Sequence, residues 1–265
     1  MNLTEPSHRK LVAALARMTE EDPTLRLGSD PETGNTLLSG MGELHLEMVM
    51  ERVSREQDVT ARLGNPSVAY RETALRAATV EHVLRRQTGG NGQFADVSLR
   101  IEPRERGLGA TFVDATVGGS VPRTFLSSIQ NGVEGALQTG LSGYPVTDVQ
   151  VTLLSGKHHP VDSSDMAFRT AAAEAFWLAL TQAGSVLLEP VMQVEVTTPD
   201  THVGAVVGDL SSRRGVVLGM DARGNGQIVR AQVPLSEMFG YATRLRSLSQ
   251  GRASFSMTFS GYQPA

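Results

Sequence analysis

The chain has 265 residues, of which 40% are hydrophobic and 20% charged, and its formal net charge is −4. This length is enough for one large domain or for two to three small domains, each with its own core. The chain contains no cysteine, which excludes disulfide scaffolds, thiolate metal sites and cysteine nucleophiles. No apolar run approaches the ~18 residues of a membrane helix, and the first residues show no secretory signal, so we expect a cytoplasmic protein without membrane contact.

The first third is predicted to be an α-β-β-α-β unit. Leu11, Leu15 and Met18 have the spacing of an amphipathic helix. Turn residues over 30–35 separate two strands at 24–29 and 36–41. A helix over 43–56 and a strand over 59–63 complete a ferredoxin-like pattern, whose first strand is missing or reduced to residues 2–6.

The middle of the chain, about 68–189, mixes strands and helices. Val97, Leu99 and Ile101 alternate with polar residues, which predicts a strand. Helices are predicted at 122–139 and 163–183, the second introduced by Asp162-Ser163-Ser164, with a strand at 146–154 between them.

The last third has the complete β-α-β-β-α-β order. Met192, Val194 and Val196 alternate with polar residues, and a helix follows Pro199-Asp200. A glycine turn at 223–226 joins two strands, and Ser236 is a candidate N-cap for the helix before the final strand. We therefore predict an α+β protein of three serial domains, with two ferredoxin-like domains flanking a β/α domain.

Charge is distributed unevenly over these three parts. Residues 190–265 carry 7 basic and 5 acidic side chains, whereas 1–66 carry 7 and 11, and 67–189 carry 10 and 12. The negative total argues against a protein that coats nucleic acid. If RNA is a partner, we expect local contacts, with the last third as the more positive face.

No motif predicts a nucleotide, metal or catalytic site. Gly90-Asn91-Gly92-Gln93-Phe94-Ala95 matches the dinucleotide pattern, but a strand rather than a helix is predicted after it. The P-loop pattern is absent. His158 and His159 precede two aspartates, but adjacent histidines do not converge on one metal, and an exposed loop is favoured. His45 is interpreted as a capping or surface residue, and no catalytic residue is predicted.

Two polar loops remain as candidates for RNA contact. One runs from Arg85 to Gln93, and the other contains Lys157, His158 and His159. Arginine, lysine, glutamine and histidine reach phosphates, 2′-hydroxyls and base edges, while glycine permits close backbone approach. The alternative is that these loops only close a sheet.

Read together, several segments resemble the C-terminal half of bacterial elongation factor G, a translational GTPase. The resemblance covers the chain from about Lys10 onward. Its segments include Glu21-Asp22-Pro23-Thr24, Ser39-Gly40-Met41-Gly42-Glu43-Leu44-His45-Leu46-Glu47, Gly143-Tyr144-Pro145-Val146, Gly208-Asp209-Leu210-Ser211-Ser212-Arg213-Arg214-Gly215 and Leu245-Arg246-Ser247-Leu248-Ser249-Gln250-Gly251-Arg252.

The resemblance implies family domains III, IV and V at 1–66, 67–189 and 190–265, with a left-handed βαβ crossover in the middle domain. It further implies that the middle domain enters the decoding site and that its tip loops hold tRNA and mRNA, while the last domain docks on ribosomal RNA. The residues expected at the tip are Arg85, Arg86, Gln87, Thr88, Gly89, Gly90, Asn91, Gly92, Gln93, Lys157, His158 and His159. The arginines expected to face the ribosome are Arg213, Arg214, Arg244, Arg246 and Arg252.

The expected function is thus ribosome binding and promotion of translocation, without enzymatic activity in this chain. No cofactor is expected in this chain, and the GTPase domain of the parent protein is an expected partner that would bind GTP and magnesium. His158 and Pro160 stand where family members commonly have an aromatic and an acidic residue, and Arg85-Arg86 stands where lysines are usual. The alternative is therefore a stand-alone or paralogous ribosome-binding factor, for protection or recycling, without its own GTPase.

Overall fold

The computed structural model describes residues 5–29, 36–57, 63–64, 68–86, 92–224 and 226–265. By their internal contacts the residues form two compact units, Met1–Ala69 with Val191–Ser260, and Tyr70–Pro190 with Gly261–Ala265. Helices and strands occur in both units, which confirms the α+β class. The domain boundaries inferred from the sequence stay predictions.

The N-terminal segment has the predicted α-β-β-α order. Its two strands pair antiparallel, with Arg26 opposite Ser39 and Ser29 opposite Thr36. Leu11, Leu15 and Met18 are buried against Val53 and neighbouring apolar residues of the second helix, as their spacing predicts. The elements are α1 (Glu5–Glu21), β1 (Arg26–Ser29), β2 (Thr36–Ser39) and α2 (Glu43–Gln57).

The predicted short strand at residues 2–6 is wrong for Glu5 and Pro6, because α1 begins at Glu5. Proline is tolerated in the first turn of a helix, where its missing N–H has no intrahelical partner. Residues 1–4 and most of the predicted strand at 59–63 lie outside the described residues.

The second of these units, named the middle unit, contains a four-stranded sheet. In sheet order its strands are β4 (Ala78–Arg86), β5 (Gln93–Pro103), β7 (Val149–Lys157) and β6 (Thr111–Asp114), and its helices are α3 (Arg123–Leu137) and α4 (Asp165–Ala183). β4, β5 and β7 pair antiparallel, whereas β6 and β7 are parallel and joined through α3, which gives the expected βαβ crossover. The hand of this crossover stays a prediction.

A further strand, β3 (Arg71–Ala74), pairs antiparallel with the start of β8 (Ser185–Pro199). The sequence analysis missed β3. Its central residues Glu72 and Thr73 are buried although they are polar, so the apolar alternation that identifies a strand is absent.

Small residues bring α3 and α4 close together. The alanine-rich α4 buries all of its alanines except Ala173, together with Phe168 and Phe176. On α3, a Cβ added at Gly132 would overlap the carbonyl oxygen of Arg169 and lie 3.1 Å from Cβ of Ala172. The helix backbones therefore approach more closely than any larger residue at Gly132 would allow.

Gly132→Ala is therefore expected to destabilise the middle unit by about 1–3 kcal/mol, because the added methyl group overpacks the helix contact. Gly135→Ala is the matched control on the same helix, since a Cβ there meets no atom within 4 Å. We expect it to stabilise the unit by about 0.5–1 kcal/mol through helix propensity. Chemical denaturation, followed by the fluorescence of Trp177 in α4, measures the free energy of unfolding of both variants. Equal effects would contradict the close packing.

The C-terminal segment has the ferredoxin-like order β-α-β-β-α-β, as predicted. Its strands are arranged β11-β8-β10-β9. Val194, Val196 and Val229 of the sheet are fully buried against Leu210 and Tyr241 of the two helices. The elements after β8 are α5 (Val203–Ser212), β9 (Val216–Arg223), β10 (Gly226–Pro234), α6 (Tyr241–Ser249) and β11 (Ser254–Pro264).

The predicted N-cap at Ser236 is wrong, because a 3₁₀ turn occupies Leu235–Glu237 and α6 begins only at Tyr241. The N-cap is Gly240, with φ of 71°, a left-handed conformation that glycine adopts without strain. Among the described residues, none of the helices has the length and apolar character required to cross a membrane.

Candidate nucleic-acid interface

The loop at residues 157–163, called the histidine loop below, connects β7 to α4. Its end is fixed by Ser164, the N-cap of α4, whose hydroxyl accepts a hydrogen bond from the Ala167 amide at 3.2 Å. Asp165 in the first turn accepts a hydrogen bond from Ser128 Oγ of α3 at 2.7 Å. A standard capping arrangement therefore holds the loop at the N-terminus of a buried helix.

The loop contacts the beginning of β5. The Phe94 amide donates to the Asp162 carbonyl at 2.9 Å, and Ser163 Oγ donates to the Phe94 carbonyl at 2.7 Å. A Cβ added at Gly92 would lie 2.9 Å from the Asp162 carboxyl carbon, so this glycine permits a close approach. The structure thus brings Gly92 and Phe94 next to the histidine loop. The expected tip residues Gln87, Thr88, Gly89, Gly90 and Asn91 lie outside the described residues.

His159 is anchored at both its backbone and its ring. Its amide donates to Ser163 Oγ at 2.8 Å. Its ring nitrogen Nδ1 lies 3.3 Å from the Val161 amide nitrogen, 3.2 Å from that of Asp162, and 3.3 Å from Oδ2 of Asp162. The ring packs edge-to-face on Phe94 with centroids 6.3 Å apart. Half of the side chain is nevertheless exposed.

The positive charge of the Lys157 ammonium is paired with carboxylates of the protein. Its Nζ lies 3.0 Å from Oδ2 of Asp96, which is buried, and 3.5 Å from Oε1 of Glu81. The hydrogen bond and charge of Asp96 raise the pKa of Lys157 above its ordinary value. These groups line a cleft of about 430 Å³ beside Ser120 and His158. Lys157 therefore offers RNA less net charge than the sequence suggests.

Of the two arginines at the end of β4, one is paired with a carboxylate of the protein and the other is not. Arg86 forms an ion pair with Glu174 of α4 at 3.0 Å, and the same carboxylate lies 2.8 Å from Nε2 of His82. Arg85, opposite Phe94 in the sheet, is exposed. Among the described residues, neither Arg85 nor the exposed His158 has a side-chain hydrogen bond or ion-pair partner. Among the described residues, Arg85, His158 and the exposed part of the His159 ring can thus donate to a ligand.

A metal site or a dinucleotide site does not fit this geometry. In the described part of the chain no group of three His, Asp or Glu side chains could hold a metal ion. Gly92 is followed by strand β5 rather than by a helix, so the helix that the dinucleotide pattern requires directly after its glycines is absent. The loop is better suited to hydrogen bonding than to metal or nucleotide chemistry.

Four of the five C-terminal arginines have polar partners within the C-terminal segment. Arg213 pairs with Asp209 at 2.8 Å, donates to the Glu237 carbonyl and lies over the Tyr241 ring at 5.0 Å from its centroid. Burial raises the pKa of Tyr241 above its ordinary value. Arg214 pairs with Glu237 at 3.2 Å.

Of the remaining three arginines, two also have partners among the described residues and one does not. Arg244 pairs with Asp209 at 3.0 Å, and Arg252 lies 2.8 Å from Nε2 of His202. Arg246 is exposed, and its side chain has no hydrogen bond or ion pair with the described residues. Arg246 is thus the one of the five that is best placed to pair with an external anion.

The sequence analysis missed Asp96 and Glu174, the carboxylates that neutralise Lys157 and Arg86. Asp96 has a recognisable signal, a charged residue between the apolar residues Ala95 and Val97 of one strand. Such a residue is buried only when it has a partner. Glu174 has no comparable signal, because it meets Arg86 only through the packing of α4 on the sheet.

Comparison with known proteins gives three consecutive matches to family models. "Elongation Factor G, domain III" matches residues 3–65, "Elongation factor G, domain IV" matches 66–184, and "Elongation factor G C-terminus" matches 186–265. A crystal structure of a protein from Thermus thermophilus is similar, with 38% sequence identity and a TM-score of 0.86. The match covers 99% of this chain and 39% of that protein, so the chain spans well under half of its relative.

Proposed function

Because this chain belongs to the elongation factor G family, we propose that it is a ribosome-binding module that promotes the movement of tRNA and mRNA during translocation. The observation that carries this proposal is the order of the three family matches, which together extend from residue 3 to residue 265. The proposed partners are ribosomal RNA, tRNA and mRNA at the decoding site, in the cytoplasm.

In this proposal the histidine loop and the end of β4 contact RNA. Arg85, His158 and His159 supply exposed donors, while Lys157 and Arg86 are neutralised by carboxylates of the protein. Few phosphates would then be neutralised, and affinity would fall only modestly with salt. Hydrogen bonds, rather than a field of positive charge, would hold the RNA.

We further propose that this chain does not hydrolyse GTP. The P-loop pattern is absent from its sequence, and the family models that match it describe domain III, domain IV and the C-terminus. GTP and magnesium would be bound by a GTPase domain of the parent protein. GTP hydrolysis by that domain would drive the module.

The test is co-sedimentation of the chain with ribosomes that carry mRNA and tRNA, followed by chemical probing of the small-subunit RNA. We expect binding, protection at the decoding site, and no heat of GTP binding in calorimetry. The test variant replaces Arg85 and His158 by alanine, since neither side chain has a hydrogen bond or ion pair with the described residues. Its affinity should fall about tenfold or more. No co-sedimentation at micromolar concentration, or unchanged protection by the variant, would contradict the proposal.

The second candidate is a stand-alone or paralogous factor that protects or recycles ribosomes. His158 and Pro160 beside His159, and Arg85-Arg86, are the departures from the usual family pattern that favour it. The gene distinguishes the two candidates. A GTPase domain in frame upstream of Met1 would assign the chain to a translocation factor, whereas a stop codon there would assign it to a stand-alone factor.

A further inference from the structure

The ring of His159 receives two hydrogen bonds from its own loop. The backbone amides of Val161 and Asp162 both point at Nδ1, at 3.3 and 3.2 Å. A backbone N–H can only donate. Nδ1 must therefore accept, and it carries no proton while these two bonds exist.

A neutral imidazole with a bare Nδ1 carries its proton on Nε2. The nearby Oδ2 of Asp162, 3.3 Å from Nδ1, could bond a proton on Nδ1 only after the two amide bonds are lost. If the ring were then doubly protonated, Nε2 would still carry its proton. Only the neutral Nδ1–H tautomer would lack a donor at Nε2, and the two amides disfavour it.

The loop also fixes the direction in which Nε2 points. A flip of the ring would exchange Nδ1 for a carbon atom and break both amide bonds. The hydrogen bond from the His159 amide to Ser163 Oγ and the bond from Ser163 to the Phe94 carbonyl hold the backbone beneath the ring. Within the described part of the chain, Nε2 has no hydrogen-bond partner, and half of the side chain is exposed.

We infer that the histidine loop locks His159 as the Nε2–H tautomer, so that it recognises a hydrogen-bond acceptor on RNA and rejects a donor. This inference rests on the proposed contact with RNA and specifies its chemistry. His158 differs, because its ring makes no hydrogen bond with the described residues. One of the two adjacent histidines is thus fixed as a donor, and the other is free to present either nitrogen.

The tautomer is tested on the chain alone by two-bond ¹H–¹⁵N correlation spectra of the histidine rings, at a pH where they are neutral. His159→Gln identifies the signal. We expect a bare Nδ1 and a protonated Nε2 for His159, and averaged signals for His158. A protonated Nδ1 in neutral His159 would overturn the inference. This measurement needs no ribosome, so it distinguishes failure of the inference from failure of the proposed function.

The RNA contact is tested with two amide variants. In His159→Asn the side-chain oxygen replaces Nδ1 and retains the loop bonds, but no donor reaches the position of Nε2. In His159→Gln the amide nitrogen reaches that position. With small ribosomal subunits carrying mRNA and tRNA, we expect His159→Gln to retain affinity within about threefold and His159→Asn to lose about tenfold, the effect of one hydrogen bond.

Melting temperatures of both variants provide the control, and His159→Asn should melt like the unmodified chain because it keeps the loop bonds. The opposite order of affinities, or equal affinities for both variants, would overturn the inference. If the unmodified chain itself fails to bind the subunits, the proposed contact with RNA fails, whereas the spectra still decide the tautomer.

Discussion

Replacing Glu72 by alanine is expected to destabilise the middle unit by about 3–5 kcal/mol, because four donors lose one shared, buried acceptor together. The Glu72 side chain is fully buried. Its carboxylate accepts hydrogen bonds from the amides of Leu141 and Ser142 at 3.0 and 2.7 Å. It also accepts from the Tyr144 amide at 3.3 Å and from Ser185 Oγ at 2.6 Å.

These bonds tie the loop after α3 to β3 and to the start of β8. The Glu72 amide donates to the Pro145 carbonyl at 2.8 Å, which closes the same contact from the backbone. Glu72→Gln should lower the stability less than Glu72→Ala, because the glutamine side chain keeps one acceptor oxygen. It should still be destabilising, because its NH₂ group replaces the other acceptor and is a donor that faces donors. Ser185→Ala should cost about 1 kcal/mol, the contribution of one hydrogen bond.

Denaturant unfolding followed by Trp177 fluorescence measures this series. Trp177 is the only tryptophan of the chain and lies in α4 of the same unit. Glu105→Ala is the control, an exposed glutamate of the same unit whose side chain has no partner among the described residues. We expect no measurable change for it. A Glu72→Ala variant as stable as this control would show that the carboxylate does not hold the loop.

Periodicity predicts the elements in which apolar residues decide the structure. The alternation of Val97, Leu99 and Ile101 predicts β5, and all three are fully buried. The alanines and Asp162-Ser163-Ser164 predict α4, whose N-cap is indeed Ser164. β3 could not be predicted in this way, because its buried residue Glu72 is polar. Its burial is compensated by hydrogen bonds from a loop about 70 residues further along the chain.

At the candidate site, the sequence identifies the types of residue but not which residues pair with each other. The sequence predicts a polar loop around His159 and positive residues near it. It does not show that Asp96 and Glu174 neutralise Lys157 and Arg86, since these pairs form only when separate strands and α4 pack together. For the proposed contact with RNA, Lys157 and Arg86 therefore contribute less positive charge than an unpaired lysine or arginine would.

The C-terminal arginines lead to the second large effect. Arg213→Met should destabilise the C-terminal domain by about 2–4 kcal/mol, because it breaks a pair with Asp209 in which both side chains are largely buried. It also removes the donor to the Glu237 carbonyl and the cation over Tyr241. Amide hydrogen exchange of Val229 and Ala231, buried in β10, measures the loss.

Arg246→Met is the matched control, because Arg246 is exposed and unpaired among the described residues. It should leave hydrogen exchange unchanged but weaken ribosome binding and reduce the salt dependence of the affinity by about one phosphate contact. Arg213→Met, measured below its melting temperature, should keep the original salt dependence. If Arg213→Met instead weakens binding without loss of stability, Arg213 faces the RNA and its internal pair with Asp209 must open on the ribosome. The two variants thus separate an arginine that holds the domain together from one that is available to bind RNA.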